Sequence, residues 1–295
     1  MTLTRRRFLS ISAAALATPA AAQTRQSARW HGVALGAPAS MILAGVAPQA
    51  ARPVFAALEA ELQRLERIFS LYRPESALVR LNTRGRLDAP PPEMLDLLSL
   101  AGAIHDATGG AFDPTVQPLW QARSTGADEA AARALTGWRA LRFDARTVRF
   151  DRPGMALTLN GVAQGYITDR IADLLAAQGF GDVLVDIGEV AARGHRADGA
   201  AWQAGIAAPD GRLVGRVTLS DRALATSAPM GTVLPGGRGH IIAPGDAPMQ
   251  RALVSVSAPR AAVADGLSTA LCLVDDATAA RAVARFAGAR IEAVA

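Results

Sequence analysis

The sequence predicts an α+β fold of mixed, largely antiparallel sheets flanked by helices. Helix-like and strand-like segments come in mixed order with hairpin-like spacing, not in the regular alternation of a doubly wound parallel sheet. No G-x-G-x-x-G follows a strand and no Walker sequence occurs, so ordinary dinucleotide and P-loop folds are not indicated. Half of the 295 residues are hydrophobic, enough for a sizeable core.

The elements follow in order. Thr4–Ser10 (TRRRFLS) precedes a short apolar run and the small residues before Gln23, the layout of a secretory signal peptide. Its paired arginines before Phe-Leu fit twin-arginine export, and cleavage after Ala22 would leave a soluble periplasmic protein of 273 residues. No cysteine follows the apolar run, which argues against a lipid anchor. Residues 23–295 read as one domain, without repeats or low-complexity linkers.

Within it, Pro53–Phe69 has helical apolar spacing with proline in the first turn. A second helix opens at the prolines before Glu93 and closes at Gly109-Gly110. Ala140–Asp151 alternates as a strand hairpin, and Gln164–Gly179 is a third helix ended by glycine. Strands are expected at Asp182–Gly188, Trp202–Ala208, Gly215–Ser220, Ala223–Ser227, Gly239–Ala243 and Ala252–Pro259. A helix over Val263–Val274, another within Ala277–Ala289 and a last strand at Arg290–Val294 complete the chain.

Charge excludes one class of partner. Every one of the 31 basic residues is arginine, and the formal charge is +5. Losing Arg5, Arg6 and Arg7 with the signal, and no acidic residue, leaves +2. The arginines form no stripe interleaved with aromatics, so no nucleic-acid partner is expected. The single cysteine, Cys272, lies in an apolar run and reads as core packing.

Chemistry concentrates in five segments. In VADGLSTALCLV, Asp265 and Thr269 are one helical turn apart and share a face. An aspartate in so apolar a run needs compensation. A helix N-terminus would serve, worth about 0.3–1 kcal/mol, with Thr269 bonding back to a carbonyl. A hard cation such as Mg²⁺ would also serve, taking the carboxylate, the hydroxyl, a backbone carbonyl and a substrate pyrophosphate. Thr108–Thr115 (TGGAFDPT) reads as a helix cap and an Asp-Pro turn. Leu159–Asp169 (LNGVAQGYITD) runs from a strand into a helix, either a plain connection or a helix N-terminus suited to phosphate. Leu224–Gly231 (LATSAPMG) ends a strand in Thr226-Ser227, and GHIIAP brings His240. His31, His105 and His195 have no metal-cluster spacing.

Together these segments resemble the ApbE family, the FAD:protein FMN transferases, over nearly the whole mature chain. FSLYRPESALVRLN, GGAFDPTVQPL, NGVAQGYITD, ATSAPMG, GHIIAP and VADGLSTAL occur in the family's order. The resemblance implies that Asp265, Thr269 and a main-chain oxygen near Gly161 hold Mg²⁺ or another divalent cation. It implies that Tyr72, Ala111, Phe112, Asp113, Thr158, Gln164 and Thr226 contact FAD, and that His240 assists the acceptor hydroxyl, with Asp265 also catalytic. The implied reaction moves FMN from FAD, as substrate, to a Thr or Ser hydroxyl of a partner flavoprotein, releasing AMP. That acceptor would belong to a membrane electron-transfer complex. The alternatives are an FAD pyrophosphatase and an FAD-binding accessory protein. This chain departs from the family pattern at Gln164, where many relatives carry lysine, and at Ala243, where they carry aspartate before Pro and then Thr-Gly.

Overall fold

The computed structural model describes residues 26–245 and 248–295, so the expected signal peptide lies outside the described residues. The chain opens with two strands that the sequence reading missed, β1 (Ser27–Ala34) and β2 (Ala37–Ala44). Their hairpin turns at Leu35 and Gly36, both at positive φ (49° and 82°), without the Asn-Gly or Asp-Gly that signals such a turn. A distant contact holds the leucine there: its N–H donates to Glu66 Oε1 at 2.8 Å.

The first helix, α1 (Pro48–Phe69), starts five residues before its expected boundary. Pro48 opens it and Pro53 sits inside, on an exposed side where the unpaired carbonyl can meet water. Next come α2 (Ala77–Arg84), β3 (Arg86–Asp88), α3 (Pro92–Ala107), α4 (Gln117–Thr125) and α5 (Glu129–Arg133). The hairpin expected over 140–151 is β4 (Leu141–Phe143) with β5 (Thr147–Phe150), which also pairs with β3. Helix α6 (Ala163–Ala177) is followed by β6 (Val183–Asp186), β7 (Val190–Arg193), β8 (Trp202–Ala207), β9 (Leu213–Leu219) and β10 (Arg222–Ser227).

The strand expected over Gly239–Ala243 does not form. Only β11 (Val233–Leu234) and β12 (Arg238–Gly239) pair, and the chain leaves the ladder at His240, whose N–H donates to Pro229 O at 3.0 Å. The close of the chain is β13 (Val254–Ala258), α7 (Ala261–Leu271), α8 (Asp276–Ala284) and β14 (Arg290–Val294).

Seven strands form one sheet in the order β1-β2-β6-β7-β10-β13-β14, every neighbouring pair antiparallel. The α+β expectation therefore holds. Alternation along the central strands divides the core. Val183, Val185, Ala191 and Ala223 join the cluster built with α1, α3 and α6. Their neighbours Leu184, Val190, Ala192 and Leu224 face the β8–β9 hairpin through Trp202, Ala204, Ile206 and Leu219. A second helical cluster joins Ala225, Val254 and Val256 to Ala264, Leu267 and Leu271 of α7. This sets α7 across β10 and β13, beside α6. No helix among the described residues is long and apolar enough to cross a membrane.

Candidate functional site

The site grows from the junction of α6 with α7. Gly165 lets the two helices meet backbone to backbone: a Cβ there would stand 2.4 Å from Ala261 O. One turn on, Asp169 caps the start of α7, its two oxygens accepting from Ala261 N (2.8 Å) and Ala262 N (3.0 Å). Arg260 adds an ion pair to Asp169 at 3.3 Å. The Gly-Tyr-x-x-Asp stretch thus serves to fasten two helices.

Against this junction lies Asp265, 3% exposed. Its Oδ2 accepts from Gly165 N at 3.0 Å, and among the described residues no other hydrogen bond or arginine reaches the carboxylate. Burial pushes its pKa up from 3.8 to about 7. It is therefore not the helix-terminal carboxylate of the milder reading. Two further acids are held above their ordinary range nearby. Glu189, whose carboxylate accepts from the Thr226 N–H, is raised well above its ordinary range by burial and then by Asp265 and Asp186. Asp186 is pushed up to about 6 by burial.

Thr269 lies one turn beyond Asp265, and Gly161 comes close to it. A Cβ at Gly161 would stand 3.1 Å from Thr269 Oγ1 and 3.4 Å from the Phe112 ring, a space that only glycine leaves open. Buried carboxylate, hydroxyl and main chain are the hard oxygen donors that Mg²⁺ takes. Among the described residues no three His, Cys, Asp or Glu side chains are disposed to hold a metal. A cation here would keep coordination positions for ligands from outside the chain, as Mg²⁺ does when it binds phosphates. The donor set fits the group.

The expected FAD residues come from the loops around this point. Phe112 is buried, and its carbonyl lies 2.8 Å from His105 Nδ1; Ala111 packs against the α7 cluster. The Asp113 side chain is committed to its own loop: Oδ1 accepts from Thr115 N (2.8 Å) and Thr115 Oγ1 (2.6 Å), and Oδ2 from Trp138 N (3.1 Å). Thr158 donates its N–H to Pro114 O at 2.8 Å, joining the two loops. Asn82 clamps the residue before it, exchanging two hydrogen bonds with Leu157 (2.8 and 2.7 Å). Gln164 lies over Gly188, where a Cβ would be 2.4 Å from its Nε2; that glycine is at φ 89°, so the short Ile-Gly-Glu turn makes room for the amide. Tyr72 is largely exposed.

His240 is half-buried, and burial holds its pKa below 6.5. Its Nδ1 lies 3.0 Å from Pro229 O, an acceptor, so Nδ1 carries the proton in the neutral ring, and the backbone at Thr232 is a second hydrogen-bond partner of the imidazole. Thr226 points away from α7, its Oγ1 2.9 Å from Ser255 Oγ. The next residue, Ser227, faces α7 instead, 2.8 Å from Ser268 Oγ and 3.2 Å from Thr269 Oγ1. Sequence reasoning passed over Ser227, Ser268 and Glu189. Strand parity in ATS was the available signal for Ser227.

These features define a class: an α+β protein with a buried carboxylate, a hydroxyl and main chain gathered where two helices meet. The particular family is shown by comparison. The chain belongs to the ApbE family, whose model matches residues 35–294. It is similar to the FAD:protein FMN transferase of Klebsiella pneumoniae (strain 342), with 30% identity over 257 residues, 78% of this chain and 73% of that protein. The FAD:protein FMN transferase of Vibrio cholerae serotype O1 is 32% identical over 246 residues, 74% of each chain. Among solved structures, flavin transferase ApbE from Vibrio cholerae superposes with a TM-score of 0.76 at 26% identity, covering 88% of this chain and 91% of that one. The apo flavinyl transferase ApbE of Pseudomonas stutzeri gives 0.74 at 28% identity, covering 88% and 89%.

Proposed function

We propose that the chain is an FAD:protein FMN transferase, using Mg²⁺ and modifying a Thr or Ser hydroxyl of a partner flavoprotein. The observation that carries this reading is the buried Asp265 carboxylate, without an arginine partner among the described residues, beside Thr269 and Gly161 in a chain of the ApbE family. The acceptor oxygen attacks the FMN-side phosphorus of FAD, the bond to the bridging oxygen breaks, and AMP leaves with that oxygen. The neutral His240 imidazole, its Nδ1 proton turned to Pro229 O, takes the hydroxyl proton. Asp265, Thr269 and the main chain at Gly161 would hold the metal, which when bound would supply neutralisation of phosphate charge. Phe112, Ala111, Thr158 and Gln164 line the approach and orient the flavin nucleotide, with Tyr72 at the exposed rim. Asp113 acts there by fixing its loop, and Thr226 by its backbone N–H to Glu189.

The N-terminal arginine pair supports export by the twin-arginine route to the periplasm, with residues 23–295 as the working domain. An exported acceptor in a membrane electron-transfer complex fits that location. A second reading, hydrolysis of FAD to FMN and AMP, is favoured by one observation. Ala243, where the family resemblance leads one to expect aspartate, packs on the apolar cluster beside α7 and offers no polar group to an acceptor.

The test is to incubate the mature protein with FAD, MgCl₂ and a candidate acceptor domain, then measure the acceptor's intact mass. A gain of one FMN, lost in Asp265→Ala, supports the transferase. Free FMN and AMP with no gain, across several acceptor domains, replaces it with the hydrolase.

A further inference from the structure

Three hydroxyls behind the cation-binding face form a chain whose direction can be worked out. Ser268 Oγ lies 3.0 Å from Asp265 O, an acceptor, so Ser268 spends its one proton there. Ser227 Oγ is 2.8 Å from Ser268 Oγ, and the proton between them must then come from Ser227. With that proton used, the 3.2 Å contact between Ser227 and Thr269 takes its proton from Thr269. The Thr269 hydroxyl is left with its proton turned towards β10 and its lone pairs free for the side where Gly161 approaches.

We infer that Ser227 and Ser268 are positioning residues, a directed hydroxyl relay that presents Thr269 Oγ1 to a divalent cation as a pure acceptor. The relay rests on the reading of Asp265 and Thr269 as cation ligands. Its surroundings keep the direction fixed. Ser268 is fully buried. The Cys272 thiol fills the space beneath, near Ser268 O (3.4 Å) and Ser227 O (3.7 Å), and burial pushes it up to about 12, so it brings no charge that would reorder the protons. Reversal would strip Asp265 O of the Ser268 bond and aim the Thr269 proton at the cation. Metal-site ligands are commonly oriented this way by partners outside the coordination shell, and losing such a partner costs about 10–100-fold in metal affinity.

The test is titration of the mature protein, saturated with FAD, by MgCl₂ in a calorimeter, with MnCl₂ as a second probe. Ser227→Ala and Ser268→Ala should each weaken cation binding about 10-fold or more. FAD affinity measured without divalent cation should change less than about threefold. Ser227→Thr, which keeps the hydroxyl, should restore cation affinity, whereas the isosteric Ser227→Val should not; this pair separates the hydroxyl from packing. Wild-type affinity in Ser227→Ala, or equal affinity in the Thr and Val variants, overturns the relay and leaves the cation site standing. No saturable cation binding by the wild-type protein overturns the relay and the cation site together.

Discussion

Gly165→Ala tests whether the cation site depends on direct helix-to-helix backbone contact. The added methyl would stand 2.4 Å from Ala261 O, 2.6 Å from Ala261 C and 2.7 Å from Ala262 N. Ordinary contact lies near 3.5 Å, so α6 and α7 must part by about 1 Å. Backbone atoms have no rotamer by which to yield. Overpacking of this kind costs about 1–3 kcal/mol. The same separation stretches the Gly165–Asp265 bond and the two bonds from Asp169 to the start of α7. A loss of about 3 kcal/mol is expected, which in a chain of this size lowers Tm by about 6–12 °C. Urea denaturation should move the midpoint at constant slope, and Mg²⁺ should raise Tm less than in the wild type. Gly181→Ala is the control: nothing lies within 4 Å of that position. A Gly165→Ala protein within about 0.5 kcal/mol of wild type would refute the reasoning.

Asp265 has a folded-state pKa raised from 3.8 to about 7, so the folded chain holds a proton that the unfolded chain releases. Stability without metal is therefore greatest below pH 4 for this group and is lost as pH rises through 7. Asp265→Asn, which still accepts from Gly165, should stabilise the metal-free protein at pH 8 by on the order of a few kcal/mol and abolish stabilisation by Mg²⁺; thermal melts at pH 5 and pH 8 read both. Removing the Asn82 side chain as alanine leaves Leu157 N–H and C=O without their partners, costing about 2–3 kcal/mol. FAD affinity should fall with it, which a fluorescence titration at a temperature where the variant is folded would show. For His240, burial lowers the pKa, so a rate needing the neutral base should rise with pH through a value below 6.5 and then level. His240→Ala should remove that limb and slow transfer about 10²–10⁴-fold, as intact-mass time courses would report.

Much of the fold was legible where local pattern and tertiary role agree. The helix Gln164–Gly179 and the strand at Ala223–Ser227 were read nearly to the residue because periodicity and glycine punctuation coincide. The opening hairpin was not. Its turn puts a leucine at positive φ, which no local rule predicts and which only Glu66, 31 residues away, supports. The strand expected at Gly239–Ala243 failed for the opposite reason. Ile241 and Ile242 look like strand residues but are buried in two separate clusters, so their apolar character records packing rather than pleating.

The site divides in the same way. Asp265 and Thr269 share one helix face, so spacing alone put them together. What surrounds them comes from Ser227 of β10, 42 residues before Thr269, and from Gly165 of α6, 100 residues before Asp265. A sequence offers Thr226 and Ser227 as equivalent hydroxyls, but the pleat sends one to Ser255 and the other to Ser268 and Thr269. The choice depends on register: Ala225 packs under α7 and Leu224 against Trp202, which commits Ser227 to the helix side. Shifting that strand by a single residue would exchange the two hydroxyls and carry Thr226 to α7. The burial pattern of β10, not its chemistry, therefore decides which serine or threonine reaches Ser268 and Thr269.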